Sequence, residues 1–161
     1  MKQIIIVRHA KAEQSLTKTD YDRMLTNRGI QDATNMALRH KELLSIVDCY
    51  ITSSAVRALT TAQLFATQAG LAHKHIIPLH ELYHASALKL TACISQIHNA
   101  LQCIIIFAHN PGITHYINAT GLVYIDNLPT CGIFAYTAAT PDWSQVHDAE
   151  KKLVSIDFPK K

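Results

Sequence analysis

With 161 residues, 48% of them hydrophobic, and a formal net charge of +3, the chain has the size of one globular domain and is too apolar for a disordered segment. Its longest aliphatic stretches, Ile4-Ile5-Ile6-Val7 and Ile104-Ile105-Ile106-Phe107, are far too short to span a bilayer, and no arginine-rich helix with stacking aromatics marks a nucleic-acid surface. Cys49, Cys93, Cys103 and Cys131 form no C-x-x-C pair and read as buried thiols of a reducing cytoplasm.

Residues 3–7 form a first strand that runs straight into Arg8-His9. The strand begins almost at once, with no basic, apolar and small-residue leader pattern, so a cytoplasmic location is expected. Residues 10–25, rich in Lys, Thr and Asp, make an exposed loop. Thr26 caps a helix whose apolar positions Ile30, Ala33, Ala37 and Leu44 keep near-helical spacing. A second strand, about 48–52, leads into Ser53-Ser54 and a helix with Ala58, Ala62, Phe65 and Ala69 on one stripe, closed by Gly70.

An extended piece near 75–77 precedes Pro78 and Glu81-Leu82-Tyr83, and residues 88–101 read as another amphipathic helix. Residues 103–108 are continuously apolar, as in a parallel strand buried on both faces. They end at His109-Asn110-Pro111-Gly112, where Asn110 is expected to cap, and Pro111 to open, a helix reaching about residue 120. Two late strands, about 132–137 and 152–158, turn near Pro141-Asp142. The alternation predicts a single α/β domain over 1–161, with a mainly parallel central sheet, helices on both faces and an antiparallel edge.

Three strands thus end in groups that bind anions: Arg8 and His9; Ser53 and Ser54 with Arg57 in the next helical turn; and His109. Parallel strands put such ends on one sheet edge, where ligands of open α/β sheets bind. Arg57 is the most pointed of these. A cation in a first helical turn opposes the macrodipole, at a cost of about 0.3–1 kcal/mol when exposed, which makes sense beside a bound anion. Two arginines and two histidines together suit a dianionic phosphoryl group. His73, His75, His80 and His84 could gather around a metal, but they lack a matching Cys or carboxylate pattern and are expected to face solvent.

Arg8-His9-Ala10 resembles the R-H-G signature that opens the histidine phosphatase superfamily. Leu25-Thr26-x-Arg28-Gly29, Ser53-Ser54-Ala55-x-Arg57-Ala58, Glu81-Leu82-Tyr83-x-Ala85-Ser86 and His109-Asn110-Pro111-Gly112 follow in the order of its SixA-type phosphohistidine phosphatases, from residue 7 to about 115. The chain departs from that pattern at Ala10, commonly Gly, and at Met24, usually Pro.

The resemblance implies a phosphoglycerate mutase-like fold and a metal-independent phosphatase without cofactor. His9 would be the nucleophile, presenting a neutral ring nitrogen while its other nitrogen donates to backbone. Arg8, Arg57 and a protonated His109 would hold the phosphoryl oxygens, with Arg23, Ser54 and Asn110 as further substrate contacts. Glu81 is the first candidate for general acid and Asp20 or Asp22 the alternative, because Asn110 stands where ester-cleaving branches carry Asp. Lack of a strong acid favours phosphohistidine, whose imidazole leaving group is protonated before the bond breaks. The expected substrate is a phosphohistidine-bearing phosphorelay or phosphotransfer protein in signal transduction, met by a monomeric enzyme with no nucleic-acid or membrane partner. The alternatives are a small phosphate-ester phosphatase of the same superfamily and a noncatalytic phosphoprotein-binding module.

Overall fold

β1 (Lys2–Arg8) lies near the middle of a six-stranded sheet and pairs in parallel with β4 (Cys103–Ala108), residue for residue from Gln3 opposite Cys103 to Arg8 opposite Ala108. The structure, a computed structural model, describes residues 1–160. Beyond β4 stand β2 (Cys49–Ser53) and, at the edge, β3 (Ile76–Leu79), both parallel. On the other side, β5 (Ile133–Ala138) and β6 (Lys151–Asp157) run antiparallel. The order is β3-β2-β4-β1-β5-β6. The mainly parallel sheet with an antiparallel edge is the expected one, and the extended piece before Pro78 is a full edge strand.

Strand periodicity divides the core. Ile4, Ile6, Ile51, Ile104 and Ile106 point to one face, beneath α4 (Ala87–Ser95) and α5 (Gly112–Ala119). Ile5, Val7, Tyr50, Ile105 and Phe107 point to the other, beneath α1 (Asn27–Arg39) and α3 (Val56–Gln68). Every residue of β2 and β4 is buried, which is why those strands lack apolar–polar alternation. Thr26 caps α1 by accepting from the Gly29 N–H at 3.0 Å, and Gly70 supplies the left-handed turn after α3 with φ of 77°.

Three element boundaries differ from expectation. Leu44 belongs to a separate turn, α2 (Lys41–Leu44), because the chain leaves helical geometry at His40. The helix expected over 88–101 stops at Ser95. The carbonyls of Asn99 and Leu101 instead accept hydrogen bonds from the buried Lys2 ammonium, both at 2.7 Å. Finally, α5 begins at Gly112, with Pro111 one place earlier than expected and joined to Asn110 by a cis peptide bond. Asn110 does not cap the helix. Its Oδ1 accepts from Thr114 Oγ1 at 2.9 Å and its Nδ2 donates to Asn127 Oδ1 at 2.7 Å.

Candidate active site

The carboxyl ends of β1, β2 and β4 are neighbours in the sheet, and a cleft of about 350 Å³ opens over them. Arg8, His9, Arg23, Arg57, His109 and Asn110 all line it. The His9 and His109 rings lie 5.1 Å apart.

His9 is held from every side. Its backbone N–H donates to Ala108 O at 3.2 Å, and its carbonyl accepts from Cys131 N at 3.1 Å. Ala10 N donates to Thr61 Oγ1 at 3.0 Å, and that hydroxyl donates to Arg57 O at 2.7 Å, so α3 clamps the turn after the strand. The ring is fixed as well. Nδ1 lies 2.8 Å from Ala10 O, and a carbonyl only accepts, so Nδ1 carries the hydrogen and Nε2 the lone pair. Arg57 Nε donates to that lone pair at 3.3 Å. Burial pushes His9 down to about 4, opposed by the Ala10 bond and reinforced by the charges of Arg57, Arg8 and Arg23. At neutral pH the ring is an uncharged base facing three guanidinium groups.

His109 was expected to be protonated. In the open cleft it is not: burial, followed by the proximity of His9 and Arg57, lowers it to about 3. Its Nε2 lies 2.8 Å from Ser53 Oγ, while its Nδ1 and Arg8 Nε are buried without a partner among the described residues. Arg8 Nη1 donates to Leu128 O at 2.8 Å. Unpartnered buried polar groups cost free energy unless a ligand completes them, and a tetrahedral oxyanion would accept from Arg8 Nε.

Asp20, in the short 3-10 turn Asp20–Asp22, reaches into this cluster. Its Oδ2 accepts from Tyr83 Oη at 2.6 Å and Arg57 Nη2 at 3.1 Å, its Oδ1 from Arg23 Nη2 at 2.9 Å, and its carbonyl from Arg57 Nη1 at 2.6 Å. The Tyr83 hydrogen bond, with the charge and hydrogen bond of Arg57, holds the carboxyl well below the usual carboxylate range. Asp20 is therefore an internal anion set against the arginines.

Three residues expected at the site lie apart from it. Glu81 faces Lys89 at 3.4 Å and lines a separate hollow with Leu79 and Cys93, because the 3-10 turn His80–Leu82 buries Leu82 and turns its neighbour outward. Asp22 accepts from Thr19 Oγ1 at 2.7 Å, off the cleft. Ser54 stands 3.4 Å from His80 Nδ1, and it is Ser53, the last residue of β2, that reaches His109. Conversely, Lys11, Gln14, His84 and Thr130 line the cleft without having been singled out for it. Loop residues carry no periodicity, and the one local sign at His84 is conformational: φ is 55°. Among the described residues no three His, Cys, Asp or Glu side chains gather as a metal site would require, and His73 instead bonds Thr67 Oγ1 at 2.8 Å. No helix among those residues is long and apolar enough to cross a membrane.

The family model of the histidine phosphatase superfamily, branch 1, matches residues 4–110. No curated protein matches the chain in sequence. Among solved structures, one assigned as the phosphohistidine phosphatase SixA of Agrobacterium tumefaciens is 20% identical, with 99% of each chain covered and a TM-score of 0.78. The protein histidine phosphatase SixA complexed with tungstate is 18% identical, with 97% of this chain and 96% of that one covered and a TM-score of 0.80. A phosphoserine phosphatase from Entamoeba histolytica, bound to 3-phosphoglyceric acid, is 18% identical over 99% and 98%, with a TM-score of 0.67. At these identities the likeness is one of fold, while the family match spans most of the chain, from β1 to the turn after β4. The chain belongs to the histidine phosphatase superfamily.

Proposed function

We propose that this superfamily phosphatase removes phosphate from phosphohistidine on a protein, through a phosphohistidine intermediate on His9. The observation that carries the reading is the state of His9: a buried, neutral imidazole with Nδ1–H tied to Ala10 O and its Nε2 lone pair held by Arg57 at the wall of an arginine-lined cleft. Nε2 attacks phosphorus in line, and water then hydrolyses the P–N bond, dividing one displacement into two. Arg8 and Arg57 fork onto the phosphoryl oxygens, with Arg23 at the rim and Asn110 and Ser53 steadying the wall. His109 enters this role neutral. The arriving dianion favours its protonated form, so charge is matched as the ligand binds. Arg57 must then exchange Asp20 and the His9 lone pair for substrate oxygens, which frees the nucleophile at the moment phosphate arrives.

A protein-borne phosphohistidine is favoured over an ester because the cleft offers no protonated carboxyl group. Asp20 is held ionised and Glu81 lies elsewhere. An imidazole leaving group makes the smaller demand on an acid. The likeness to the SixA structures, one a complex with the oxyanion tungstate, supports the same reading. The likeness to a phosphoserine phosphatase bound to 3-phosphoglyceric acid favours a second one, a small-ester phosphatase.

Rates on a phosphorylated histidine-containing protein and on sugar, nucleotide and phosphoserine monophosphates separate the two. The expected outcome is a kcat/KM on the phosphoprotein at least about a hundredfold above any ester, the scale on which an enzyme lacking a strong acid falls behind. Preference for an ester contradicts the proposal, and binding without turnover of any substrate marks a noncatalytic module.

A further inference from the structure

We propose that His84 is the general acid of this site, giving a proton to the leaving group and taking one from the hydrolytic water. The proposal rests on the reading of His9 as nucleophile. Each carboxyl group that might have served is committed elsewhere: Glu81 to Lys89, Asp22 to Thr19, and Asp20 to Arg57, Arg23 and Tyr83. His84 lines the cleft, is well exposed, and belongs to the one side-chain type suited to both holding and releasing a proton near neutrality.

Its placement is specific. The His109 ring lies 5.1 Å from that of His9 and 5.8 Å from that of His84. The His9 and His84 rings thus both border His109 and line the one cleft that a phosphoryl group and its leaving group would enter. The ring packs on Tyr83 with centroids 4.0 Å apart, and its Nε2 lies 3.3 Å from Asp20 Oδ2. The groups facing it are thus Asp20, Tyr83, His109 and, behind Asp20, Arg57. The backbone is held in the left-handed region at φ 55°, which side chains with a β-carbon disfavour. Strain of this kind is tolerated where the surroundings fix a functional residue. Here the fixing contacts are Tyr83 N to His80 O at 2.9 Å and Ala85 N to Leu82 O at 3.3 Å.

The protons balance. As the His9 Nε2–P bond forms and the bond from phosphorus to the leaving atom breaks, the electron pair departs with that leaving group and the imidazolium of His84 supplies its proton. An ester takes the proton on its departing oxygen and leaves as the alcohol; phosphohistidine takes it on the ring nitrogen that does not carry phosphorus and leaves as neutral imidazole. His84 is then neutral. Water attacks the phosphoryl group, the P–N electrons return to His9, and the water's proton passes to His84. An imidazolium donor is closely matched in acidity to an imidazole leaving group, which fits a P–N substrate better than an ester.

The test is the rate of phosphoenzyme formation, in a single transient, from 4-nitrophenyl phosphate and from phenyl phosphate, in the parent and in His84→Asn. Asparagine tolerates the left-handed backbone and carries no transferable proton; His84→Gln is the second variant, and a melting curve establishes that each is folded. Nitrophenolate departs without protonation, so the variant is expected to lose about a hundredfold with phenyl phosphate and less than about threefold with the nitrophenyl ester. An equal loss on both substrates means a structural role and overturns the proposal, as does no loss on either. A phosphoenzyme that forms undiminished in His9→Ala overturns the nucleophile reading instead.

Discussion

His9 and His109 are bases that folding deprives of protons. Their values of about 4 and about 3 lie below the 6.5 or so of an unfolded imidazole. Between those limits the unfolded chain binds protons that the folded chain refuses. The stabilising contribution is therefore fully present above about pH 6.5 and is lost as pH falls toward 3. Denaturant unfolding at pH 7 and pH 4.5 is expected to show a loss of the order of 5 kcal/mol at the lower pH, reduced when both residues are replaced by Gln. A stability that does not change over this window means that the two rings are charged in the fold. The same residues show what sequence discloses at this scale. Arg8, His9, Arg57 and His109 were legible because each sits at the end of a strand or the start of a helix, positions that hydrophobic patterning locates. Ser53 and Ser54 are not told apart by pattern because β2 ends between them and sequence does not locate a strand's last residue to one position, and Glu81 lies in a 3-10 turn that has no apolar period to orient it.

At the scale of elements, the site depends on how closely α5 approaches the loop carrying His84. A β-carbon on Gly112 would fall 1.9 Å from Ala85 O, a backbone atom one residue past His84. Gly29 is similarly confined, with Lys11 O at 2.2 Å from its virtual β-carbon, which locks the start of α1 to the segment just after His9. Gly112→Ala is expected to lower stability by about 1–3 kcal/mol, the cost of overpacking a site that cannot yield, and to lower kcat more than stability alone accounts for, because the strain falls on the loop between Tyr83 and Ser86. Thermal melts and steady-state rates on one preparation measure both. An unchanged melting temperature contradicts this packing. Neither approach could be read from sequence, where the two glycines are simply a residue in a helical first turn and another after a proline. The end of α4 was hidden for a similar reason: the Lys2 ammonium that claims the Asn99 and Leu101 carbonyls is 97 positions or more away along the chain.

At the scale of the molecule, the sheet was the most legible feature. Continuous apolar runs named β1 and β4, alternation with helices gave the parallel class, and the late pair of strands gave the antiparallel edge. The sheet brings three strand ends to one rim, and with them the cluster of cations. It does not choose the substrate, since phosphatases described by different substrates share it with TM-scores from 0.67 to 0.80. The chemistry lies in the cleft. The cleft holds an ionised Asp20 against its own arginines, an imidazole at its mouth, and one buried base whose lone pair accepts from Arg57. The central claim is that this base accepts the phosphoryl group. Rapid acid-free quenching of the enzyme mixed with a radiolabelled phosphohistidine protein, followed by peptide mass spectrometry, tests it directly. Acid-labile phosphate is expected on the peptide carrying His9, with both label and turnover absent from His9→Ala. Label on another residue, or turnover that persists in that variant, would contradict the account.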